Sequence, residues 1–125
     1  MTVRGVRGAT QASANQPEAI WAATRELLEA ILAANPAMEA EEIGSAFFTV
    51  TDDLDANYPA YAARTMGWDY VPMLCAREIP VPGGMGSVIR VLLHWNTTLP
   101  QSEIHHVYLG ETARLRPDLT AAQGL

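Results

Sequence analysis

Residues 87–96 read SVIRVLLHWN, and Arg90 stands in the middle of Val88, Ile89, Val91, Leu92 and Leu93. A run of β-branched and aliphatic residues this dense reads as a strand covered on both faces. Alternation puts Arg90 on the same side as Val88 and Leu92, so its guanidinium is expected to be partly shielded from water. Burying an unpaired charge is costly, and arginine does not escape by losing its proton, so something anionic should meet it. That anion belongs either to the protein or to a ligand.

Working outward, PVPGGMG before this strand is a loop, TTLPQSE after it is a turn, and IHHVYL is a further strand. Upstream, YVPMLCARE is strand-like, with Leu74, Ala76 and Glu78 on one face and Met73, Cys75 and Arg77 on the other. GSAFFTVT, with Phe47, Phe48 and Val50, makes another strand; Asp52 to Asn57 is a polar loop, and YPAYAARTMG a short helix ended by Gly67. TVRGVRGAT suits a first strand with Arg4 and Arg7 on opposite faces, so that only one looks inward. Asn15 followed by Glu18 resembles a capping pair, Pro17 suits a first turn, and Ile20, Thr24, Leu27, Leu28, Ile31 and Leu32 recur at helical spacing up to Asn35-Pro36. MEAEE is a short acidic turn, and residues 119–125 read as a frayed, flexible tail.

The order β, α, β, short α, then three strands predicts a single α/β (α+β) domain over residues 1–125, a compact mixed sheet with helices on one face. Such a sheet in so short a chain leaves one face and its edges in need of cover, which self-association would supply.

Composition narrows the function. Hydrophobic residues make up 49% and charged ones 18%, as in an ordinary soluble domain, and no window holds the ~18 apolar residues of a membrane span. No apolar segment follows the arginines of MTVRGVRGAT, so a signal peptide is not expected and a cytoplasmic address is. Net charge is −6, the wrong sign for gripping phosphate backbones, which argues against nucleic acid. Cys75 is the single cysteine, so no internal disulfide or cysteine-rich zinc site forms. All eight basic residues are arginines, a bias that a GC-rich coding sequence explains; the lack of lysine removes Schiff-base chemistry and a P-loop lysine.

Gly83, Gly84 and Gly86 precede a strand, not the helix N-terminus a phosphate loop needs. His105 and His106 point opposite ways on a strand and His94 stands apart, so no metal site is expected. No nucleophile-elbow sequence frames a serine, and no catalytic signature surrounds Cys75. What remains is charge where a core would prefer none: Arg7, Glu78 and Arg90 in or at the ends of strands, with Tyr108 in another. A buried Arg and Glu pair that merely satisfies itself is the plain reading. Several arginines against one carboxylate leave positive charge in surplus, however, and guanidinium suits bidentate recognition of carboxylates. The residues thus point to a pocket for a small, multiply anionic molecule.

RGVRGAT, TVTDDLDANYPAYAAR, GWDYVPMLCAREIPVPGG, IRVLLHWNT and HVYLGETARLRPDL, in this order over residues 3–119, resemble the AroH-type (monofunctional, Bacillus-like) chorismate mutases of bacteria. The resemblance implies a homotrimeric pseudo α/β-barrel with active sites between subunits. It implies an isomerase of the shikimate pathway that converts chorismate to prephenate without metal or cofactor. By position in the matching motifs, Arg90 would face the ether oxygen, Arg7 a substrate carboxylate with Tyr108 supporting that end, and Glu78 the ring hydroxyl. Tyr58, Arg64, Met73, Leu74 and Cys75 would line the pocket, and Leu115 and Arg116 match the segment that closes over it. Tyr61 departs from the charged residue that relatives often carry. A non-catalytic homotrimer that binds a small dicarboxylate would need cations at the carboxylates but none aimed at an ether oxygen.

Overall fold

The computed structural model describes residues 1–115, whose elements run β1 (Thr2–Gln11), α1 (Pro17–Ala34), β2 (Ile43–Val50), α2 (Ala60–Thr65), β3 (Met73–Arg77), β4 (Val88–Thr97) and β5 (Val107–Tyr108). The strands form one mixed sheet in the order β3-β2-β4-β1-β5. β4 pairs antiparallel with β1 and β2, while β1–β5 and β2–β3 are parallel. The most apolar strand of the sequence therefore takes the centre, where both its edges are hydrogen-bonded.

The two faces of β4 meet different surroundings. Ile89, Val91, Leu93 and Trp95 are buried, as are Ile20, Leu27, Leu28 and Ile31 of α1; most of these side chains join Val6 and Phe48 in the main core, and Ile20 and Ile89 form a smaller cluster with Leu54. Helical spacing on α1 and alternation on β4 thus meet as two apolar surfaces. On the opposite face Leu92 is 37% exposed, Phe47 40% and Leu74 64%. The expectation that this strand is covered on both faces is corrected for the single chain. An 18-residue and a six-residue helix cover only one side of five strands.

Three local expectations also change. Asn15 does not cap α1: Gln16 is the N-cap residue and lends no side-chain hydrogen bond, with Pro17 in the first turn. Asn15 instead accepts from the Asp55 and Ala56 N–H groups and donates to the Asp55 carboxylate, tying the β2–α2 loop to the start of α1. The strand expected over IHHVYL shrinks to Val107–Tyr108. His105 N–H is taken by the Asn35 side chain, and His106 Nδ1 accepts from Arg7 N–H, so side chains replace the ladder there. Gly67 ends the α2 turn with φ +89, a left-handed conformation that favours glycine. The expected tail at 119–125 lies outside the described residues. Among the described residues no helix is long and apolar enough to cross a membrane.

Gly8 is where β1 passes beneath α1, and a Cβ there would lie 2.8 Å from Ile31 Cδ1, 3.1 Å from Leu27 Cδ1 and 3.2 Å from the Val107 carbonyl oxygen. Both side chains are fully buried and have little room to yield. Gly8→Ala is predicted to destabilise the fold by about 1–3 kcal/mol through overpacking, and to lower the calorimetric melting temperature by several degrees. Gly5→Ala, with 3.6 Å to Leu92 Cδ1, should leave it nearly unchanged. Equal melting temperatures for the two variants would show that α1 lifts freely from β1.

Candidate active site

Strand register assembles a polar cluster on the open face of the sheet. Arg7 of β1 and Phe47 of β2 both lie opposite Leu92, and Thr49 of β2 lies opposite Arg90. Tyr108 of β5 pairs with Ala9, which on its other side is Arg90's own partner on β1. Glu78 follows β3 directly, its N–H bonded to the Val50 carbonyl at the end of β2. Arg7, Phe47, Thr49, Glu78, Arg90, Leu92 and Tyr108 line one cavity of about 420 Å³. Four side chains expected to share a site from the sequence are thus brought together. Arg4 is not among them: it points to the helix side, where its Nε–H donates to the Leu99 carbonyl.

The anion that meets Arg90 within the chain is Glu78, with Nε to Oε2 at 3.4 Å. The same carboxylate oxygen accepts a short hydrogen bond from the Thr49 hydroxyl. Sequence reasoning missed Thr49, since only the β2–β4 register sets it opposite Arg90. The ion pair is a charge contact without hydrogen-bond alignment, and among the described residues Arg90 Nε is buried with no hydrogen-bond partner. The Tyr108 hydroxyl, on the same cavity, is buried and unpartnered as well. The Arg7 guanidinium makes no ion pair among the described residues. Two guanidinium groups therefore face one carboxylate, and the cavity carries a net positive charge with two buried polar groups unsatisfied. Such groups cost free energy unless a partner meets them.

The remaining expected residues lie elsewhere. Tyr58, Arg64, Met73, Leu74 and Cys75 line a separate cavity of about 290 Å³ beside the edge strand β3 and α2. Tyr61 lines it too, its ring 4.6 Å from that of Trp21 on α1. Tyr58 is 71% exposed, and Arg64 makes no ion pair among the described residues. Leu115 lines a third cavity, of about 510 Å³, whose wall includes Glu78, Arg90 and the loop between β3 and β4. Arg116 lies outside the described residues. His94 is bonded to the Ser45 hydroxyl, and among the described residues no cluster of His, Cys, Asp or Glu is fit to hold a metal. Burial pushes the Cys75 thiol up from its ordinary value, against a smaller lowering by a hydrogen bond from the Ala60 backbone.

Residues 3–119 match the sequence profile of the family described as chorismate mutase type I. A Thermus thermophilus protein named chorismate mutase AroH is 54% identical over 121 residues, covering 97% of this chain and 99% of that one. A protein of the same name from Bacillus subtilis is 41% identical over 121 residues, covering 96% and 94% respectively. The solved structure of a chorismate mutase from Clostridium thermocellum superposes with a TM-score of 0.85 at 44% identity, over 88% of this chain and 97% of its own.

The raised thiol makes Cys75 a poor nucleophile at neutral pH, because the thiolate is the reactive form. Its alkylation by iodoacetamide, followed against pH by mass spectrometry, should show a midpoint above that of free cysteine in the same buffer. A midpoint at or below free cysteine would mean that a nearby positive charge outweighs burial.

Proposed function

The chain belongs to the type I chorismate mutase family, and we propose on that premise how its side chains carry out the rearrangement of chorismate to prephenate, on the route to phenylalanine and tyrosine. The reaction is an isomerisation within one molecule: an ether C–O bond breaks as a C–C bond forms, and no proton or electron enters or leaves. It needs no nucleophile, metal or cofactor. It needs the substrate held in its reactive conformer and positive charge where the ether oxygen becomes negative.

The observation that carries the assignment is the pair of buried, unpartnered groups, Arg90 Nε and the Tyr108 hydroxyl, on a cavity that also holds Arg7. In the proposed complex Arg90 donates to the ether oxygen, and Arg7 takes a carboxylate with help from Tyr108. Glu78 accepts from the ring hydroxyl, held in place by Thr49. A non-catalytic dicarboxylate binder would need cations at the carboxylates but none aimed at an ether oxygen, and membership of a family of mutases makes that reading the less favoured one.

The second half of the pocket is assigned to a neighbouring copy. Tyr58, Arg64, Met73, Leu74 and Cys75 sit at the β3 edge in their own cavity, while the open sheet face displays Phe47 and Leu92. Packing the edge of one copy against the open face of the next is a heterologous contact, which closes as a ring when the rotation allows. A homotrimeric pseudo-barrel is such a ring, and it brings Arg64 to a cavity otherwise short of a group for the second carboxylate. Leu115, on the cavity that Glu78 and Arg90 share, is assigned to the segment that closes over the substrate. A cytoplasmic address suits a chain with one cysteine.

The protein is predicted to consume chorismate in the presence of chelator, followed by ultraviolet absorbance. Arg90→Met should lower kcat by about a hundredfold or more, the ~3–4 kcal/mol lost when a preorganised oxyanion donor is removed. Arg90→Lys should recover part of it, restoring charge without the planar fork, and Arg4→Met should leave kcat nearly unchanged. A folded Arg90→Met variant in which only KM rises would make Arg90 a binding residue.

Shared sites make a separate prediction. Arg90→Met and Arg64→Ala subunits, each nearly inactive alone, should regain about a quarter of wild-type activity when unfolded and refolded together in equal amounts, as random ring closure rebuilds intact sites. An active monomer by light scattering, or no recovery on mixing, would place the whole site within one chain.

A further inference from the structure

We propose that Asp53, which is absent from the cavity holding Arg7 and lines the adjoining one shared by Glu78, Arg90 and Leu115, is a positioning residue: it locks the last residue of the β3–β4 loop and thereby sets where Arg90 is presented. The inference rests on the role given to Arg90 above. Ser87, immediately before β4, has φ +57, a left-handed conformation that a residue with a side chain rarely adopts. Nothing in serine itself favours that conformation, so its surroundings must hold it there.

Asp53 supplies the hold. Its two carboxylate oxygens accept from Ser87 N–H at 3.1 and 2.8 Å, and the Ser87 hydroxyl also donates to Oδ2. The Thr51 hydroxyl donates to Asp53 Oδ1 and itself accepts from Val88 N–H. A Cβ at Gly86 would lie 2.9 Å from Asp53 Oδ2, so the glycine leaves the carboxylate room to close on the loop. Backbone bonds complete the joint, from Ala12 N–H to the Ser87 carbonyl and from Thr51 N–H to the Val88 carbonyl. The hydrogen bonds hold the Asp53 carboxyl below its ordinary value, the Thr51 hydroxyl contributing most, so the ionised acceptor form is the one favoured.

The consequence reaches Arg90 because, among the described residues, no hydrogen bond holds its Nε. Its partner Glu78 stands at the other end of the loop that Ser87 terminates. Cation and carboxylate are thus carried at the two ends of one loop, and Asp53 fastens the end from which the cation projects. A rotation at Ser87 would turn the start of β4 and move Arg90 relative to both Glu78 and Thr49. Misplacement of about 1 Å in a reacting geometry is enough to cost up to a hundredfold in rate.

The test is a pair of variants with kcat and KM measured separately on the assembled protein, alongside amide hydrogen exchange at Ser87 and Val88. Asp53→Ala should lower kcat about tenfold, with a smaller change in KM, and speed exchange at both amides. Adding Ser87→Gly to Asp53→Ala should restore at least half of the lost activity, because glycine adopts the left-handed conformation without help. An unchanged kcat in Asp53→Ala, or a loss that Ser87→Gly does not relieve, overturns the proposal. If Asp53→Ala does not fold, Asp53→Asn replaces it, with a smaller loss and the same recovery expected. The exchange data keep the two ideas apart: faster exchange with an Arg90→Met variant that alters only KM would sink the role of Arg90 while leaving the Asp53 lock intact.

Discussion

A permanent positive charge on the central strand of the sheet is the constraint that the rest of this structure accommodates. β4 is bonded on both edges and packed on one face by α1, so Arg90 has a single direction open to it, the sheet face that no helix covers. Glu78 neutralises it in part and Thr49 steadies Glu78, but neither supplies the hydrogen bond that Arg90 Nε lacks. Folding therefore tolerates a local cost, on the order of 1–3 kcal/mol for each unsatisfied buried polar group. The buried core on the other side offsets it.

This division of the sheet into a core-packed face and a face carrying the polar cavity explains the placement of the two N-terminal arginines. Arg4 is spent on a backbone carbonyl at the helix side, where it closes a turn. Arg7, three residues on and of opposite parity, joins the cavity. A one-residue slip of β1 against β4 would exchange them, carrying Val6 out of the core and Arg7 into it, so the apolar packing of Val6 also enforces the register of the site.

Much of this was legible in the sequence because it follows from parity and period. The core-facing residues of α1, the opposite faces of Arg4 and Arg7, the turn at Gly67 and the mixed sheet covered on one side all come from local pattern. What pattern does not carry is register between distant strands. Thr49 meets Glu78 because β2 aligns with both β3 and β4, and no spacing in the sequence encodes that. Asn15 has the look of a helix cap, yet a loop forty residues away competes for the same side chain and wins with three hydrogen bonds. The dense apolar run of β4 reads as doubly covered because sequence records how hydrophobic a face is, not which molecule covers it. Arg7, Glu78, Arg90 and Tyr108 stand out in the sequence as polar groups on strands and point to an anion pocket; only the resemblance to a family gave that pocket a reaction.

The chemistry assigned to the site is consistent with what the site leaves out. A rearrangement without proton transfer gains nothing from a group that titrates near neutrality, and the side chains around the cavity include no histidine. It gains from a cation whose charge does not change and whose position is fixed before the substrate arrives, since dipoles and charges already aimed at the ether oxygen need no reorganisation as negative charge grows there. Arginine provides the constant charge. Strand β4, the Glu78 contact and the loop locked at Ser87 provide the fixed position. The unsatisfied donors that weaken the resting protein are, on this account, the same groups that bind the transition state more tightly than the substrate, because a ground-state ether oxygen is a weak acceptor and a departing one is strong. A protein that satisfied Arg90 fully with its own residues would be more stable and would have nothing left to offer the reaction.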